Sequence, residues 1–305
     1  MTHLDFLTAF AELNNIGTLA DLLELHSQKY ASQINSRENA TKTIVSLEQI
    51  LGLSWEGQRV LDWGCTYGAC AIEIAKLGAL SVGCDVSSKW LELAKINAKN
   101  EANPVFLNCD ASLSSSRQLL AEFGVYNLVL ADKILDRIYD SVGALKNMRT
   151  LMTSDGIFYF KLTNGRATRN ILKEKYKQVF GLSILAPDYW PLFVKAPFLI
   201  YYRRWDHWLS LFNELKFCDL KVFNNGNNES IDVTRKHILA DMEKIRQYLK
   251  STEFNNFAYS HLIRLACHYY LDELDDDLKN LSGDDLYIKY RAIYWEGTLK
   301  VPKNA

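Results

Sequence analysis

The sequence is short of residues that break regular structure. Its 305 residues include five prolines and 15 glycines, too few for long disordered linkers. It has no surplus of either charge. Lys and Arg number 35 and Asp and Glu 36, a net charge of −1. The overall basic footprint of a nucleic-acid binder is missing, so no nucleic acid partner is expected. It also lacks a run of about 18 apolar residues, so no transmembrane helix is expected. The most apolar stretch, "ILAPDYWPLFVKAPFLIYY" at 184–202, is broken by Asp188, Lys195 and three prolines. The start, "MTHLDFLTAFAELNN", has neither the basic opening nor the apolar core of a signal peptide. Without such a signal the six cysteines read as reduced thiols of a cytoplasmic protein. No C-x-x-C pair occurs. Cys65, Cys70, Cys84 and Cys109 therefore read as small buried hydrophobes and not as zinc ligands, and no metal site is expected.

What is present is a large apolar fraction, 48% of the chain, enough for a substantial core. Residues 1–57 read as helices. Ser36 is a candidate cap for a helix with Ile44, Leu47, Ile50 and Leu51 at helical spacing, and Gly52 ends it. A strand–helix rhythm follows, with short β-rich runs at 59–62, 80–85, 105–110, 126–132 and 156–162. Ser87 or Ser88 caps the second helix of the series. Strands alternating with helices specify an α/β fold, a doubly wound, mostly parallel sheet covered on both faces. After residue 165 the rhythm breaks. The core is expected over 58–224 and 285–305, with an aromatic insertion at 166–204 and a helical insertion at 225–284 that begins in the loop "NNGNN". The alternating segment "DLYIKYRAIYWEGTL", 285–299, reads as the last strand.

The first turn, "LDWGCTYG", sets Asp62 before Gly64, Thr66 and Gly68. A dinucleotide fingerprint needs G-x-G-x-x-G; here the glycines are spaced G-x-x-x-G. Asp85 ends the second strand in "VGCDVSS", Asp110 ends the third in "NCDAS", and the fourth reads "YNLVLADKILDR". In these four segments the chain resembles the class I S-adenosylmethionine-dependent methyltransferases over about half its length. The resemblance implies an antiparallel last strand and S-adenosyl-L-methionine as cofactor, with S-adenosyl-L-homocysteine as product. It implies donor contacts from Asp62, Gly64, Cys65, Thr66, Gly68, Asp85, Val86, Asp110, Ala111 and Ala131. A carboxylate at Asp85 suits two ribose hydroxyls, Asp110 faces the adenine amino group, and Asp62 lies near the donor's amino group or orients the loop. Gly64 lets the backbone pass close to a ligand, and Gly68 permits close helix–sheet packing. Thr66 replaces the middle glycine. Its β-branch disfavours positive φ, so an ordinary backbone conformation is expected there, with the hydroxyl turned to the donor. Asn127 and Arg137 replace the family's frequent Asp and His on and after the fourth strand.

Methyl transfer to an alcohol needs a positioned base. Candidates are Asp132, at the fourth strand's carboxyl end, and His207, between Trp205 and Trp208; Asp136 and His237 are weaker ones. Asp132 reads equally as a helix cap. His237 with Asp241 and His268 with Asp272 have i,i+4 spacing without a third metal ligand. Tyr189, Trp190, Phe193, Phe198, Tyr201 and Tyr202 form either an acceptor wall or a hydrophobic lid. The helices of 230–280 form a second lid or a homodimer surface. The expected activity is O-methylation of a sugar, glycan or other small metabolite. The alternative is a methyltransferase-fold scaffold without turnover that partners another enzyme.

Overall fold

The computed structural model describes residues 2–99, 101, 103–174, 176–195, 200–223 and 230–303. Phe198 and the loop 224–228 lie outside these. Seven strands are present: β1 Arg59–Trp63, β2 Leu80–Asp85, β3 Val105–Asn108, β4 Tyr126–Asp132, β5 Met152–Thr163, β6 Cys218–Val222 and β7 Tyr294–Lys300. They form one sheet in the order β3-β2-β1-β4-β5-β7-β6. Strands β1, β2, β3 and β4 pair in parallel. β1 and β4 are buried along nearly their whole length, as strands covered on both faces must be. β7 runs against β5: Asp155 N–H donates to Val301 O, and Asn164 N–H donates to Ile293 O. The expected doubly wound α/β sheet with an antiparallel last strand is the observed one.

That last strand is shorter than its sequence pattern implies. Gly283–Leu286 and Tyr287–Arg291 are helical, the latter as a π-turn. Ser282 caps this segment, its Oγ accepting from Asp285 N–H at 3.2 Å. Leu286 and Tyr290, four residues apart, are the buried pair. Apolar residues at i and i+4 satisfy a period of two as well as a helical period, so the alternation was ambiguous. At the other end, Ser36 is the first helical residue of Ser36–Leu51 and not its cap; Asn35 holds that place without a side-chain bond, and Gly52, at φ +62°, ends the helix. Ser87, not Ser88, caps the helix Ser88–Ala98 through a bond from Trp90 N–H.

Packing divides the chain into two compact units. The first comprises residues 1–132, 140–159 and 299–305; the second comprises 133–139 and 160–298. In the first, the helix Thr2–Leu13 buries Phe6, Leu7 and Phe10 in a cluster with Leu93. In the second, Ile238, Met242, Ile245 and Leu249 of the helix Ile231–Lys250 meet Ile263, Cys267, Tyr270 and Leu274 of the helix Ser260–Asn280. Both apolar series repeat at helical spacing. No helix of the described residues is long and apolar enough to cross a membrane.

Gly68 precedes the helix Ala69–Lys76 with φ +69°. A Cβ there would lie 2.5 Å from the Phe106 ring and 3.1 Å from Ala94 Cβ. Gly68→Ala is therefore expected to cost about 2–4 kcal/mol, from the left-handed conformation and the clash together. Urea unfolding of the two proteins measures it; a change within experimental error would contradict this packing.

Candidate functional site

The turn after β1 is left-handed at every second residue: φ is +76° at Gly64, +48° at Thr66 and +69° at Gly68. The expectation of an ordinary backbone at Thr66 is overturned. A β-branched residue with positive φ is strained, and surrounding bonds must hold it. They come from the end of β2. Gly64 N–H and Cys65 N–H donate to Cys84 O at 2.8 and 3.0 Å, and Gly68 N–H closes the turn onto Cys65 O at 2.8 Å. Thr66 N–H donates to Asp85 Oδ2 at 3.1 Å. Tyr67 is anchored to the N-terminal helices, with its hydroxyl accepting from Gln33 Nε2 and its ring packed against Phe6, Phe10 and Trp90.

The parallel register sets the strand ends level: Asp62 lies opposite Gly83 and Leu130, and Asp85 opposite Asn108. Asp85 is half-buried. Its Oδ1 accepts from Ser87 N–H at 2.9 Å while Oδ2 takes Thr66 N–H, so each oxygen keeps acceptor capacity for a ligand. Asp110 Oδ1 accepts from both Ser112 N–H and Ser112 Oγ, at 2.9 and 2.5 Å, leaving a ligand's donors to Oδ2. Ala111, Ala131 and Cys65 are buried, and Val86 is exposed at the rim. Asp62 is buried beneath the turn, and its Oδ2 accepts from Ala71 N–H at 3.2 Å. Burial pushes its carboxyl up to about 7; the Ala71 bond opposes this, and the charges of Asp132 and Asp85 add to it. A cation placed here would be favoured on both counts.

Asp132 ends β4 exposed. It caps no helix: the turn Leu135–Arg137 has no side-chain cap, and the helix Ser141–Thr150 is capped by Asp140. His207 lies in the second unit, in the first turn of the helix Trp205–Glu214, its ring against Trp208. Its burial, and then the Arg203 charge, lower its pKa, so it is neutral at pH 7.

Trp190 is fully buried in the core of the second unit and so cannot form an acceptor wall. Phe193 stacks on Phe257, whereas Tyr189 is exposed. Tyr202 donates its hydroxyl to Glu174 Oε1 at 2.6 Å. Glu174 is fully buried and also accepts from Tyr176 and Lys177 N–H groups. Asp136 is 2% exposed and accepts from Thr163 N–H at 3.3 Å. Glu174 and Tyr176 carried no spacing signal in the sequence; only the fold collects them. Asp241 accepts from Thr168 Oγ1 and Arg291, which also contacts His237. His268 and Asp272 are exposed on a helix. No cluster of the described residues could hold a metal ion. The same unit has a cavity of about 210 Å³ lined by Arg166, Trp205, Ile288, Lys289 and Trp295 among others.

Two predictions follow from the strained turn and the buried acid. Thr66→Gly should stabilise the ligand-free protein by about 1 kcal/mol, the relief of left-handed strain outweighing the added chain entropy; urea unfolding reads the sign. Asp62 holds a proton in the folded state up to about pH 7 but loses it near pH 4 when unfolded. The unfolding free energy should therefore fall as pH rises through that window, by up to roughly 4 kcal/mol in total. Asp62→Asn should remove that component. Parallel pH–stability curves for the wild type and Asp62→Asn would refute it.

The family described as "Methyltransferase domain" matches residues 55–216, more than half of the chain. The ubiquinone biosynthesis O-methyltransferase of Albidiferax ferrireducens is 31% identical over 109 residues, 35% of this chain and 42% of that protein. That of Methylocella silvestris is 28% identical over 109 residues, 36% and 41% of the two chains. The chain thus spans less than half the length of these curated relatives. Among solved structures, a phosphoethanolamine N-methyltransferase 2 of Haemonchus contortus is 17% identical, covering 86% of this chain and 52% of that one with a TM-score of 0.47. An S-adenosylmethionine-dependent methyltransferase of Archaeoglobus fulgidus is 13% identical, covering 86% and 94% with a TM-score of 0.47. With the family matched across β1 to β5 and on through the helix Trp205–Glu214, the chain belongs to the methyltransferase domain family.

Proposed function

We propose that this protein binds S-adenosyl-L-methionine at the carboxyl ends of β1, β2, β3 and β4 and methylates a hydroxyl of a small molecule. The observation that carries the reading is three carboxylates, Asp62, Asp85 and Asp110, at or just beyond successive strand ends around a left-handed turn. Family membership supports the donor. The names of the relatives support an oxygen acceptor; a sugar, glycan or other hydroxylated metabolite is the class we assign.

The residues present fit this donor. Asp85 offers both carboxylate oxygens to the ribose hydroxyls. Asp110 Oδ2 and the buried Ala111 face the base, with Val86 against its ring. Asp62 ionises against a cationic amino group. Gly64 admits the ligand close to the backbone, and Cys65 and Thr66 form the floor and rim of the turn. Bound there, the donor supplies an electrophilic methyl group on a sulfonium. The protein's share is positioning and acceptance of the acceptor's proton. We assign that proton to Asp132, exposed at the end of β4; His207, the other candidate base, lies in the second unit.

Titration with S-adenosyl-L-homocysteine should give a dissociation constant near the micromolar range, about −8 kcal/mol, with no competition from NAD. Asp85→Ala should weaken it by roughly 2–4 kcal/mol, and Asp85→Asn, which keeps an acceptor for Thr66 N–H, by less. At about pH 6, binding should release protons in the wild type and fewer in Asp62→Asn, because the ligand's ammonium group beside Asp62 lowers that carboxyl's pKa; calorimetry in buffers of different ionisation enthalpy counts them. Unchanged affinity in folded Asp85→Ala would place the donor elsewhere, and binding without turnover on any hydroxylated acceptor would favour the scaffold reading.

A further inference from the structure

Three cysteines converge beneath the donor turn. Cys65 begins it, Cys84 precedes Asp85, and Cys109 precedes Asp110. Cys84 and Cys109 stand on neighbouring parallel strand ends, where Asp85 pairs with Asn108 and Cys109 N–H donates to Asp85 O at 3.2 Å. Each thiol is the other's leading electrostatic partner. Thiols on adjacent strand ends can bond where their Cα atoms come within about 7 Å.

The two are chemically unlike. Cys84 is fully buried, and the Cys109 thiol, with burial, pushes its pKa well up. Cys109 is only partly buried. The Cys84 thiol holds it below the usual thiol range; the Ser116 hydroxyl helps, while burial and the Asp110 charge oppose. A partly exposed thiol of lowered pKa beside a buried resolving thiol is the arrangement that oxidants select.

We infer that Cys109 and Cys84 form a peroxide-reactive dithiol whose disulfide, joining the ends of β2 and β3, weakens donor binding. Cys109 Sγ attacks one oxygen of hydrogen peroxide; the O–O bond breaks, hydroxide leaves and a sulfenic acid forms. Cys84 Sγ then attacks that sulfur; the S–O bond breaks, and the oxygen departs as water with the Cys84 proton. Two thiols lose two electrons and two protons, and one peroxide becomes two waters. Closing the bond draws the turn 109–113 toward β2 and shifts both Asp110 and the Asp85 backbone to which Cys109 and Asn108 are tied. This regulatory half rests on the donor reading proposed above.

The reduced 305-residue chain is treated with hydrogen peroxide, mapped by peptide mass spectrometry and titrated with S-adenosyl-L-homocysteine. The expected result is a Cys84–Cys109 linkage with the loss of two hydrogens, and a donor affinity lower by about tenfold or more, restored by a thiol reductant. Cys109→Ser and Cys84→Ser, or Cys84→Ala if a buried hydroxyl unfolds the strand, should keep the reduced affinity and lose the response. Oxidation of Cys109 to sulfinic or sulfonic acid without linkage, or linkage to Cys65 instead, overturns the dithiol. Linkage without a change of affinity overturns its effect on the donor. A reduced protein that binds no S-adenosyl-L-homocysteine overturns the donor reading and the regulatory half with it, while the linkage map still decides the dithiol.

Discussion

The turn between β1 and the helix Ala69–Lys76 holds its shape because the end of β2 grips it. Backbone N–H groups of residues 64, 65 and 66 all donate to Cys84 or Asp85. Without those bonds, three left-handed residues in five, one of them β-branched, would have no reason to persist. The grip makes Asp85 a structural residue as well as a candidate ligand. It also buries Asp62 under the turn, where the carboxyl resists ionisation. The first unit therefore carries two local costs, backbone strain at Thr66 and a buried carboxyl at Asp62 that a single backbone N–H offsets in part, and both sit in the turn where we propose that the donor binds.

The N-terminal helices extend this grip. Tyr67 lies inside the turn, and Gln33, Phe6, Phe10 and Trp90 surround its side chain. Asn97 Nδ2 donates to its carbonyl at 3.0 Å. Arg37 ties the same helices to Glu73 and Glu101 at 2.5 and 2.6 Å, as a largely buried network and not an exposed pair. A segment outside the resemblance thus packs directly on the turn that carries it. The second unit is built differently. Its two long helices and the aromatic segment close around their own apolar core, and its buried polar groups, Glu174, Asp136 and Asn164, are bonded to backbone N–H or C=O groups.

Much of this was legible. Parallel strands covered on both faces need continuous apolar runs, so 59–62, 80–85 and 126–132 announced themselves. Asp85 and Asp110 stand at or just beyond strand ends, where a carboxylate keeps some solvent, whereas Asp62 is buried one residue inside β1; all three could be found by counting from each apolar run. Other features gave no such signal. Thr66 was misjudged because local sterics argue against positive φ, and the bonds that override them come from Cys84 and Asp85, 18 or more positions away. Trp190 read as either wall or lid because nothing in its own segment shows that it shares a core with Ile238 and Leu274 of two later helices. Residues 287–291 looked like a strand because a short i,i+4 pattern fits two periods.

The sequence by itself determined the alternation of elements, the parallel class of the sheet and the places where acids and glycines interrupt it, since these follow from apolar period and backbone sterics along the chain. Only the tertiary structure decided the conformation of the turn, the proton affinity of Asp62, the meeting of Cys84 with Cys109, and which aromatics form core. Each of these depends on burial or on a hydrogen bond between residues distant in the chain, and neither quantity exists until the strands are in register.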